Sequence, residues 1–437
     1  MERRKFLQFS GLVVANAIGG RLTPGSGVAL ERMLAGNRLP KAAAVSDEIF
    51  WRRIRAFYTP PSEYIDLDHA NTSPTAGPVV DSFVRRLRRL SQAPAERFNT
   101  MWDDDLDKVA RPALASYLGT TVDRLAFVGS ATVGLNTVLH GFPLERGDEI
   151  IVTDHEYPDM IETILQRGKR EGILMRVVRV PAPTEDRLTL VARVAETITA
   201  RTKLLLISQV SAWSGEVLPV AEVTATARAR GVAVLVDAAQ SVGLLDVSFD
   251  QIGCDFLGTS LHKWLGAPIA SGALVMRPEH VGRVWPLHPP SWDTAKHPME
   301  IYEWSGTFDM AARATITDAL AFQRKLGAEQ KRARLRYLGD HWQNKVREVP
   351  NIHIFTPRDP SRSVGVASVM VEGVSSEKLV KHLRRRRGLL VQDKSGRHSP
   401  YVNALRVSPG VYTTPRELDR LVDELTDIAR HGLPIEE

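Results

Sequence analysis

Short apolar runs alternate with segments of mixed polarity through the middle of the chain, from about residue 125 to residue 276. The runs lie at 125–128, 149–153, 173–180, 203–208, 232–236 and 271–276, and segments of helical character lie near 156–171, 189–199 and 220–230. Continuous apolar runs of this length are typical of strands that are buried on both faces, as in parallel sheets. Their alternation with helices predicts an α/β fold with a mostly parallel, doubly wound sheet.

The pattern differs on both sides of this region. Upstream, residues 49–57 predict a helix and residues 64–68 a short strand. Downstream, a long charged helix is predicted at about 316–347, followed by strands and helices at 364–371, 376–387, 404–407 and 415–430. Because 437 residues exceed one ordinary domain, we predict a large domain at 46–315 and a smaller C-terminal α+β domain at 316–437.

Composition argues against several classes of protein. The net charge of +6 comes largely from two arginine clusters, at 85–89 and 384–387, and neither has the interleaved aromatic residues of a nucleic-acid surface. No apolar run reaches 18 residues, so we predict no integral membrane span. The single cysteine, Cys254, excludes an internal disulfide, and no His-Glu-x-x-His pattern occurs, so no metal site is predicted.

The first 45 residues resemble a targeting signal and a linker. Arg3 and Arg4 precede a short apolar stretch at 11–18, and a segment rich in Gly, Pro and Ala follows to about residue 45. This order is similar to a twin-arginine export signal, which predicts an exported or periplasmic protein. The alternative is an amphipathic N-terminal helix on a protein that stays in the cytoplasm.

An acid and a lysine follow two of the predicted strands. Asp237 ends the run at 232–236, and Lys263 follows the short run Phe256–Thr259. Ligands of open α/β sheets bind beyond the carboxyl ends of the strands, where both side chains are expected. A lysine can form a Schiff base with pyridoxal phosphate (PLP), and a carboxylate can keep the pyridine nitrogen of PLP protonated. The pair therefore favours a PLP site.

The pattern Asp-Ala-Ala-Gln at 237–240 with Ser-x-His-Lys at 260–263 resembles the class V aminotransferase family of fold type I PLP-dependent enzymes. The resemblance covers about residues 60–430. It implies the fold type I architecture, with Lys263 and Asp237 as catalytic residues and Tyr157 stacked on the cofactor ring. The cofactor contacts that it implies are Ala131, Thr132, Tyr157, Asp237, Gln240, Ser260, His262, Lys263, Gly306 and Thr307.

Three other segments add to this prediction. The small residues at 129–134 follow a strand and open a helix, where backbone N–H groups can approach a phosphate. By resemblance, the loop with Gly306 and Thr307 reaches the cofactor of a neighbouring subunit, which implies a homodimer with shared active sites. Arg406 matches the arginine that holds a substrate carboxylate, and Asn71 is assigned to the same substrate side.

The motifs are most similar to those of the isopenicillin N epimerase branch of the family. Ala212 replaces the asparagine of aminotransferases and desulfurases, and residues 388–403 lack the cysteine that a desulfurase needs. We therefore predict a PLP enzyme that acts at the α-carbon of an amino acid or small peptide, by epimerisation, transamination or elimination. Desulfurase activity is disfavoured, His155 is an alternative proton carrier, and a non-catalytic binding protein is the alternative from another class.

Overall fold

The computed structural model describes residues 45–183, 186–295, 297–401 and 403–434. The predicted export signal lies outside the described residues and stays a prediction. Among the residues described, no helix combines the length and the apolar character needed to cross a bilayer.

Helices and strands follow one another along the described chain. The N-terminal part contains α1 (Glu48–Arg55), β1 (Ile65–Asp66), α2 (Gly77–Gln92), α3 (Pro94–Met101), a π-helical segment (Trp102–Ala110) and α4 (Arg111–Tyr117). The middle part contains β2 (Leu125–Val128), α5 (Ala131–Gly141), β3 (Glu149–Thr153), α6 (Pro158–Glu171), β4 (Leu174–Val178), α7 (Arg187–Thr197), β5 (Thr202–Ser208), α8 (Val220–Arg228), β6 (Ala233–Asp237), α9 (Phe249–Ile252), β7 (Phe256–Ser260) and β8 (Gly272–Met276). The C-terminal part contains α10 (Met310–Ala314), α11 (Ile316–Leu326), α12 (Ala328–Val346), β9 (Ile352–Ile354), β10 (Ala367–Val371), α13 (Ser376–Arg387), β11 (Leu389–Leu390), β12 (Gln392–Asp393), β13 (Leu405–Val407) and α14 (Pro415–His431).

A central sheet of seven strands is formed by the described residues between 125 and 276. The strand order is β2-β8-β7-β6-β5-β3-β4, and β8 runs opposite to the other six strands. Strands β2, β3, β7 and β8 are buried at every position, whereas the edge strand β4 is mostly half-buried or exposed. The mostly parallel α/β sheet that the apolar runs predicted is therefore confirmed.

The predicted strands of this sheet agree with the observed bounds to within a few residues. The prediction of one helix over 316–347 is wrong, because Gly327 separates α11 from α12. Its φ of +86° lies in the left-handed region, which a right-handed helix cannot continue. The sequence analysis also did not predict helices α2 to α4 or the short strands β9, β11 and β12.

A second sheet, of four antiparallel strands in the order β12-β13-β10-β9, is formed by described residues of the C-terminal part. Helices α12, α13 and α14 contribute Trp342, Leu383 and Leu421 to its apolar core. The chain's N-terminal segment joins this part, because β1 pairs in parallel with β11. A further bridge, between Asp68 and Ser408, brings Asp68 beside strand β13.

Packing continues across residue 315, where the sequence predicted a domain boundary. Asp318 on α11 accepts a hydrogen bond from Ser82 Oγ at 2.8 Å and pairs with Arg86 at 2.7 Å, and both partners lie on α2. Helix α11 therefore packs on the N-terminal helices. The division at 46–315 and 316–437 stays a prediction.

Candidate active site

The carboxyl-end segments of β3, β5, β6 and β7 surround a cavity of about 400 Å³. Most of the residues predicted for the site line it, although they come from segments that are far apart in the chain. These residues are Asn71, Ala131, Thr132, Tyr157, Asp237, Gln240, Ser260, His262, Lys263 and Arg406.

Asp237 and Lys263 lie on this cavity without forming an ion pair with each other. One oxygen of Asp237 accepts a hydrogen bond from the Ala239 N–H at 2.8 Å. Burial raises the pKa of the Asp237 carboxyl, which the Ala239 N–H and Lys263 oppose. Burial also lowers the pKa of Lys263 to about 8, although Asp237 and Asp68 favour its charged form. Within the described residues the Lys263 amine has no hydrogen-bond partner, so it is available to a bound molecule.

The start of α5 provides the expected anion-binding geometry. Ser130 is the N-cap, and its Oγ accepts the Val133 N–H at 3.3 Å. The Ala131 N–H donates to Ser260 Oγ at 2.9 Å, which brings the ends of β7 and β2 together. Gly272 allows this close approach, because a Cβ there would lie 2.7 Å from Ser130 Cα. The positive end of the α5 dipole therefore points into the cavity.

His262 is oriented by the backbone next to this cradle. Its Nδ1 lies 3.0 Å from the carbonyl oxygen of Ser271. A carbonyl accepts only, so Nδ1 carries the proton and Nε2 is left for another partner. Burial lowers the pKa of the imidazole.

Tyr157 and His155 have different surroundings. Tyr157 is the N-cap residue of α6, lines the cavity and keeps 38% of its surface exposed. His155 is fully buried, with Nδ1 3.2 Å from Ser211 Oγ and Nε2 3.5 Å from the Tyr401 hydroxyl. Burial lowers the pKa of His155 to about 4. Since His155 does not line the cavity, these contacts favour a structural role over the alternative role as a proton carrier.

Gln240 lines the cavity, but both ends of its amide already bind protein groups. Its Nε2 donates to the Ala70 carbonyl at 2.8 Å, and its Oε1 accepts from Trp264 Nε1 at 2.7 Å. Gln240 therefore fixes the residues next to Lys263 and Asn71. One N–H of the amide remains for the predicted contact with a ring oxygen.

Arg406 on β13 is 2% exposed and is held from two sides. Its Nη2 lies 2.9 Å from Asp68 Oδ1, and its Nη1 donates to the Ala212 carbonyl at 2.9 Å. Burial lowers the pKa of Arg406, and the Asp68 carboxylate opposes this effect. The side chain of Ala212 departs from the family pattern, but its backbone carbonyl accepts a hydrogen bond from Arg406.

The comparisons with known proteins agree with this geometry. The model of the family described as aminotransferase class-V matches residues 65–421. The chain is 32% identical over 335 residues to isopenicillin N epimerase of Streptomyces clavuligerus, covering 72% of this chain and 83% of that protein. It is 29% identical over 397 residues to isopenicillin N epimerase of Amycolatopsis lactamdurans, covering 84% of this chain and 98% of that protein.

The chain belongs to the aminotransferase class-V family. Among solved structures, it resembles a C-DES mutant in which glycine is covalently linked to the PLP cofactor. The TM-score is 0.75 at 21% sequence identity, and the match covers 85% of this chain and 99% of that one. The fold is therefore that of the fold type I PLP-dependent enzymes, and the chain is a PLP-dependent enzyme of the class-V family.

The residues of this class-V site fit PLP. The Lys263 amine, which has no hydrogen-bond partner in the described part of the chain, shares one cavity with a buried carboxylate, Asp237, and with the N-terminus of α5. These are the groups that an aldehyde, a pyridine nitrogen and a phosphate require. The glycine at 272 lets Ser130, the N-cap of α5, lie close to β8 at the edge of this cavity.

Gly306 and Thr307 do not line this cavity. Thr307 instead lines a separate cavity of about 840 Å³, which aromatic side chains surround. Gly306 has a φ of +79° and no atom within 4 Å of the position that a Cβ would take. The aromatic residues of the second cavity are Phe98, Trp102, Trp292, Trp304 and Phe308.

Three residues in or next to the cavity were missed by the sequence analysis. Asp68 holds Arg406, Trp213 lines the wall, and Lys394 is a second lysine that is only 8% exposed. Asp68 is the last residue of the strand predicted at 64–68, and this position at the end of a strand could have indicated a site residue from the sequence. Lys394 lies in a segment of no regular pattern, and only the fold brings it to the site.

Proposed function

We propose that this class-V enzyme moves the α-proton of an amino acid or small peptide and thereby acts as an epimerase. The observation that carries the proposal is the convergence of Lys263, Asp237 and Arg406 on one cavity. The similarity to two proteins named isopenicillin N epimerase supports it. The side chain of the substrate is not part of the proposal.

Each of these residues has a defined task. When bound, PLP supplies an electron-withdrawing ring that stabilises negative charge at the α-carbon. Lys263 would hold the cofactor through its amine, and the same amine would hold or donate the α-proton. Asp237 holds the proton of the ring nitrogen, because a buried carboxylate favours a cationic neighbour. Arg406 orients the substrate carboxylate, which a planar guanidinium can bind through two hydrogen bonds.

The surroundings of the single cysteine argue against sulfur transfer. Cys254 is fully buried, and burial strongly raises the pKa of its thiol. A thiolate is the nucleophilic form of cysteine, so Cys254 is unsuited to this chemistry. Residues 388–403, where a desulfurase carries its cysteine, contain none.

The reaction can be tested by exchange of the α-proton with solvent. The PLP-loaded enzyme is incubated in D2O with the L and D forms of alanine, methionine, glutamate and phenylalanine, and the α-proton signal is followed by NMR. We expect exchange together with formation of the opposite enantiomer. Accumulation of a keto acid would instead indicate transamination, release of ammonia or sulfide would indicate elimination, and no exchange with any pair would contradict the proposal.

The covalent role of Lys263 has its own test. Borohydride reduction of the PLP-loaded enzyme followed by peptide mapping should label Lys263. Lys394 and Lys331 are matched controls, since both are also buried lysines of this region. A label on either control, or no label at saturating PLP, contradicts the assignment.

We also propose that the enzyme is a homodimer with shared active sites. Gly306 and Thr307 lie away from the cavity of their own subunit, while the family resemblance assigns them to cofactor binding. The position of Gly306 and Thr307 and their assignment are compatible if both residues contact the cofactor of a partner subunit. The aromatic surface around Thr307 is suited to such an interface, since aromatic residues are enriched in interface cores.

A further inference from the structure

A second lysine in the cavity has no role in the function proposed so far. Lys394 is 8% exposed and lines the cavity that also contains Lys263. Its Nζ lies 4.9 Å from the centroid of the Trp213 ring. Within the described residues its amine forms neither a hydrogen bond nor an ion pair. A buried amine without an anionic partner destabilises the fold, so its presence calls for a functional reason.

The two lysines reach the cavity from different parts of the fold. Lys263 follows β7 of the seven-stranded sheet, whereas Lys394 follows β12 of the four-stranded sheet. The backbone of Lys394 is fixed, because its N–H donates to the Ala404 carbonyl at 2.8 Å and its own carbonyl accepts from Ser399 Oγ at 2.5 Å. Lys394 therefore has a defined position on the cavity wall.

Trp213 places Lys394 near the segment of Tyr157. The Trp213 Nε1 donates to the carbonyl of Glu156, the residue before Tyr157, at 3.4 Å. The Lys394 amine lies over the ring of the same tryptophan. By family resemblance Tyr157 covers one face of the cofactor ring and Lys263 approaches the other. The Trp213 contacts therefore link Lys394 to the segment of Tyr157, the residue that the resemblance places on the face opposite to Lys263.

The charged groups around Lys394 set its protonation. Arg406 and Lys263 disfavour its charged form, and Asp68 and Asp393 favour it. Burial is the largest effect, and it lowers the pKa of Lys394 to about 6. At pH 7 Lys394 is mostly neutral and can accept a proton, while Lys263, with a pKa of about 8, mostly carries one.

We propose that Lys394 is a second acid–base residue, which exchanges a proton with the substrate α-carbon from the face opposite to Lys263. This inference rests on the epimerase function proposed above. The bond between the α-carbon and its hydrogen breaks, and the proton bonds to the nitrogen of one neutral amine. A proton from the other amine, which is an ammonium group, then bonds to the opposite face of the carbon. The carbon is inverted, the two amines exchange protonation states, and no oxidant or reductant is needed.

The protonation of Lys394 can be measured without turnover. Brief pulses of acetic anhydride acylate neutral amines, and mass spectrometry of the PLP-loaded enzyme gives the rate at each lysine from pH 5 to pH 10. We expect Lys394 to reach a larger fraction of its own maximal rate at pH 7 than Lys381, an exposed lysine that pairs with Glu377. The proposal is overturned if Lys394 reaches its maximal rate only at the pH where Lys381 does, or above it.

The catalytic role is tested by the stereochemistry of exchange. Lys394→Met keeps the length of the side chain and removes the amine, and Lys381→Met is the control. PLP absorbance and the Tm of both variants are checked before the four amino-acid pairs are tested in D2O. We expect Lys394→Met to lose exchange from one enantiomer by about 10²- to 10⁴-fold and to keep exchange from the other within a few-fold.

Each other outcome has a distinct meaning. If Lys394→Met loses exchange from both enantiomers equally, or from neither, while the wild type exchanges both, Lys394 is not the second acid–base residue. If the wild type itself exchanges neither enantiomer, the proposed epimerase function fails and the role of Lys394 fails with it.

Discussion

At the scale of single residues, Arg406 shows how the site combines stability with recognition. Arg406 is 2% exposed, yet only two nitrogens of its guanidinium have hydrogen-bond partners in the described part of the chain. These partners are Asp68 and the Ala212 carbonyl. The Nε of Arg406 has no partner among the described residues. A guanidinium has five N–H groups, so Arg406 keeps donors for a further partner after its contacts with Asp68 and Ala212.

We predict that Arg406→Ala weakens binding of amino acids far more than binding of PLP. A hydrogen bond to a charged group contributes about 1.5–3 kcal/mol, which is roughly a ten- to hundredfold change in Kd. Arg406→Lys should restore only part of this affinity, because it keeps the charge and loses the planar fork. The measurement is a titration of cofactor absorbance with amino acids and with their amides. Equal losses for acids and amides would show that Arg406 is structural.

Local motifs made much of this site predictable from the sequence. Lys263 and Asp237 stand at the ends of apolar runs, and the pattern around each is contained in a few residues. Asp68 and Lys394 reach the site only through β1 and β12, which are two-residue strands. Strands this short leave no periodic signal, so Lys394 could not be placed before the fold was known, whereas Asp68 could be placed only at the end of the strand predicted at 64–68.

At the scale of elements, the loop after β7 must hold Lys263 in place. Gly243 lies against this loop with a φ of +91°, and a Cβ there would lie 2.6 Å from the Leu265 nitrogen. Gly231 has a φ of +74° but no atom within 4 Å of its Cβ position. Both glycines therefore have a left-handed backbone conformation, but only Gly243 lies against neighbouring atoms.

We predict that Gly243→Ala weakens PLP binding, whereas Gly231→Ala does not. Both variants lose about 1–2 kcal/mol of stability because of the left-handed backbone. Only Gly243→Ala also displaces the loop that carries Lys263. PLP titration and thermal unfolding of the two variants measure the difference, and equal PLP affinities would contradict the prediction.

His155 joins three segments behind the cavity, through Ser211 and Tyr401. Its pKa of about 4 in the folded protein lies below the ordinary value of 6.5. A depressed pKa gives stability that is present above pH 6.5 and is lost as the pH falls toward 4. Acid should therefore weaken the connection between these segments.

We predict that this loss of stability is reduced in His155→Gln. Between pH 8 and pH 5 the unfolding free energy of the wild type should fall by about 2 kcal/mol more than that of the variant. Urea unfolding at both pH values gives the comparison, with His431→Gln as a control at an exposed histidine. If the wild type and His155→Gln lose the same amount, His155 does not control the acid response.

At the scale of the whole molecule, the proposed dimer means that a complete active site needs residues from two subunits. Lys263 would belong to one subunit, and Thr307 would come from the partner of that subunit.

The sequence predicted the main sheet well because its strands are buried on both faces. It did not predict α2 to α4, and the position of Thr307 required the fold.

We predict that two inactive variants restore activity when they are mixed. Lys263→Ala removes the reactive amine, and Thr307→Glu places a negative charge against the phosphate of the partner's cofactor. A dimer of one subunit each has one intact site, so statistical mixing should give about a quarter of the wild-type activity. The measurement is α-proton exchange after subunit exchange has been shown with tagged chains. If exchange is complete and no activity returns, each site is formed within one subunit.

The contacts of Arg334 limit where a protease could shorten this protein. The guanidinium is fully buried and donates to the Val45 carbonyl at 2.7 Å, to Glu48 Oε1 at 2.6 Å and to the Thr413 carbonyl at 2.9 Å. A cut before Val45 leaves all three contacts intact. A cut after Glu48 removes the carboxylate that pairs with Arg334 and leaves a buried charge unpaired, which is strongly destabilising. A stable shortened form of the protein must therefore retain Glu48 and the chain that follows it.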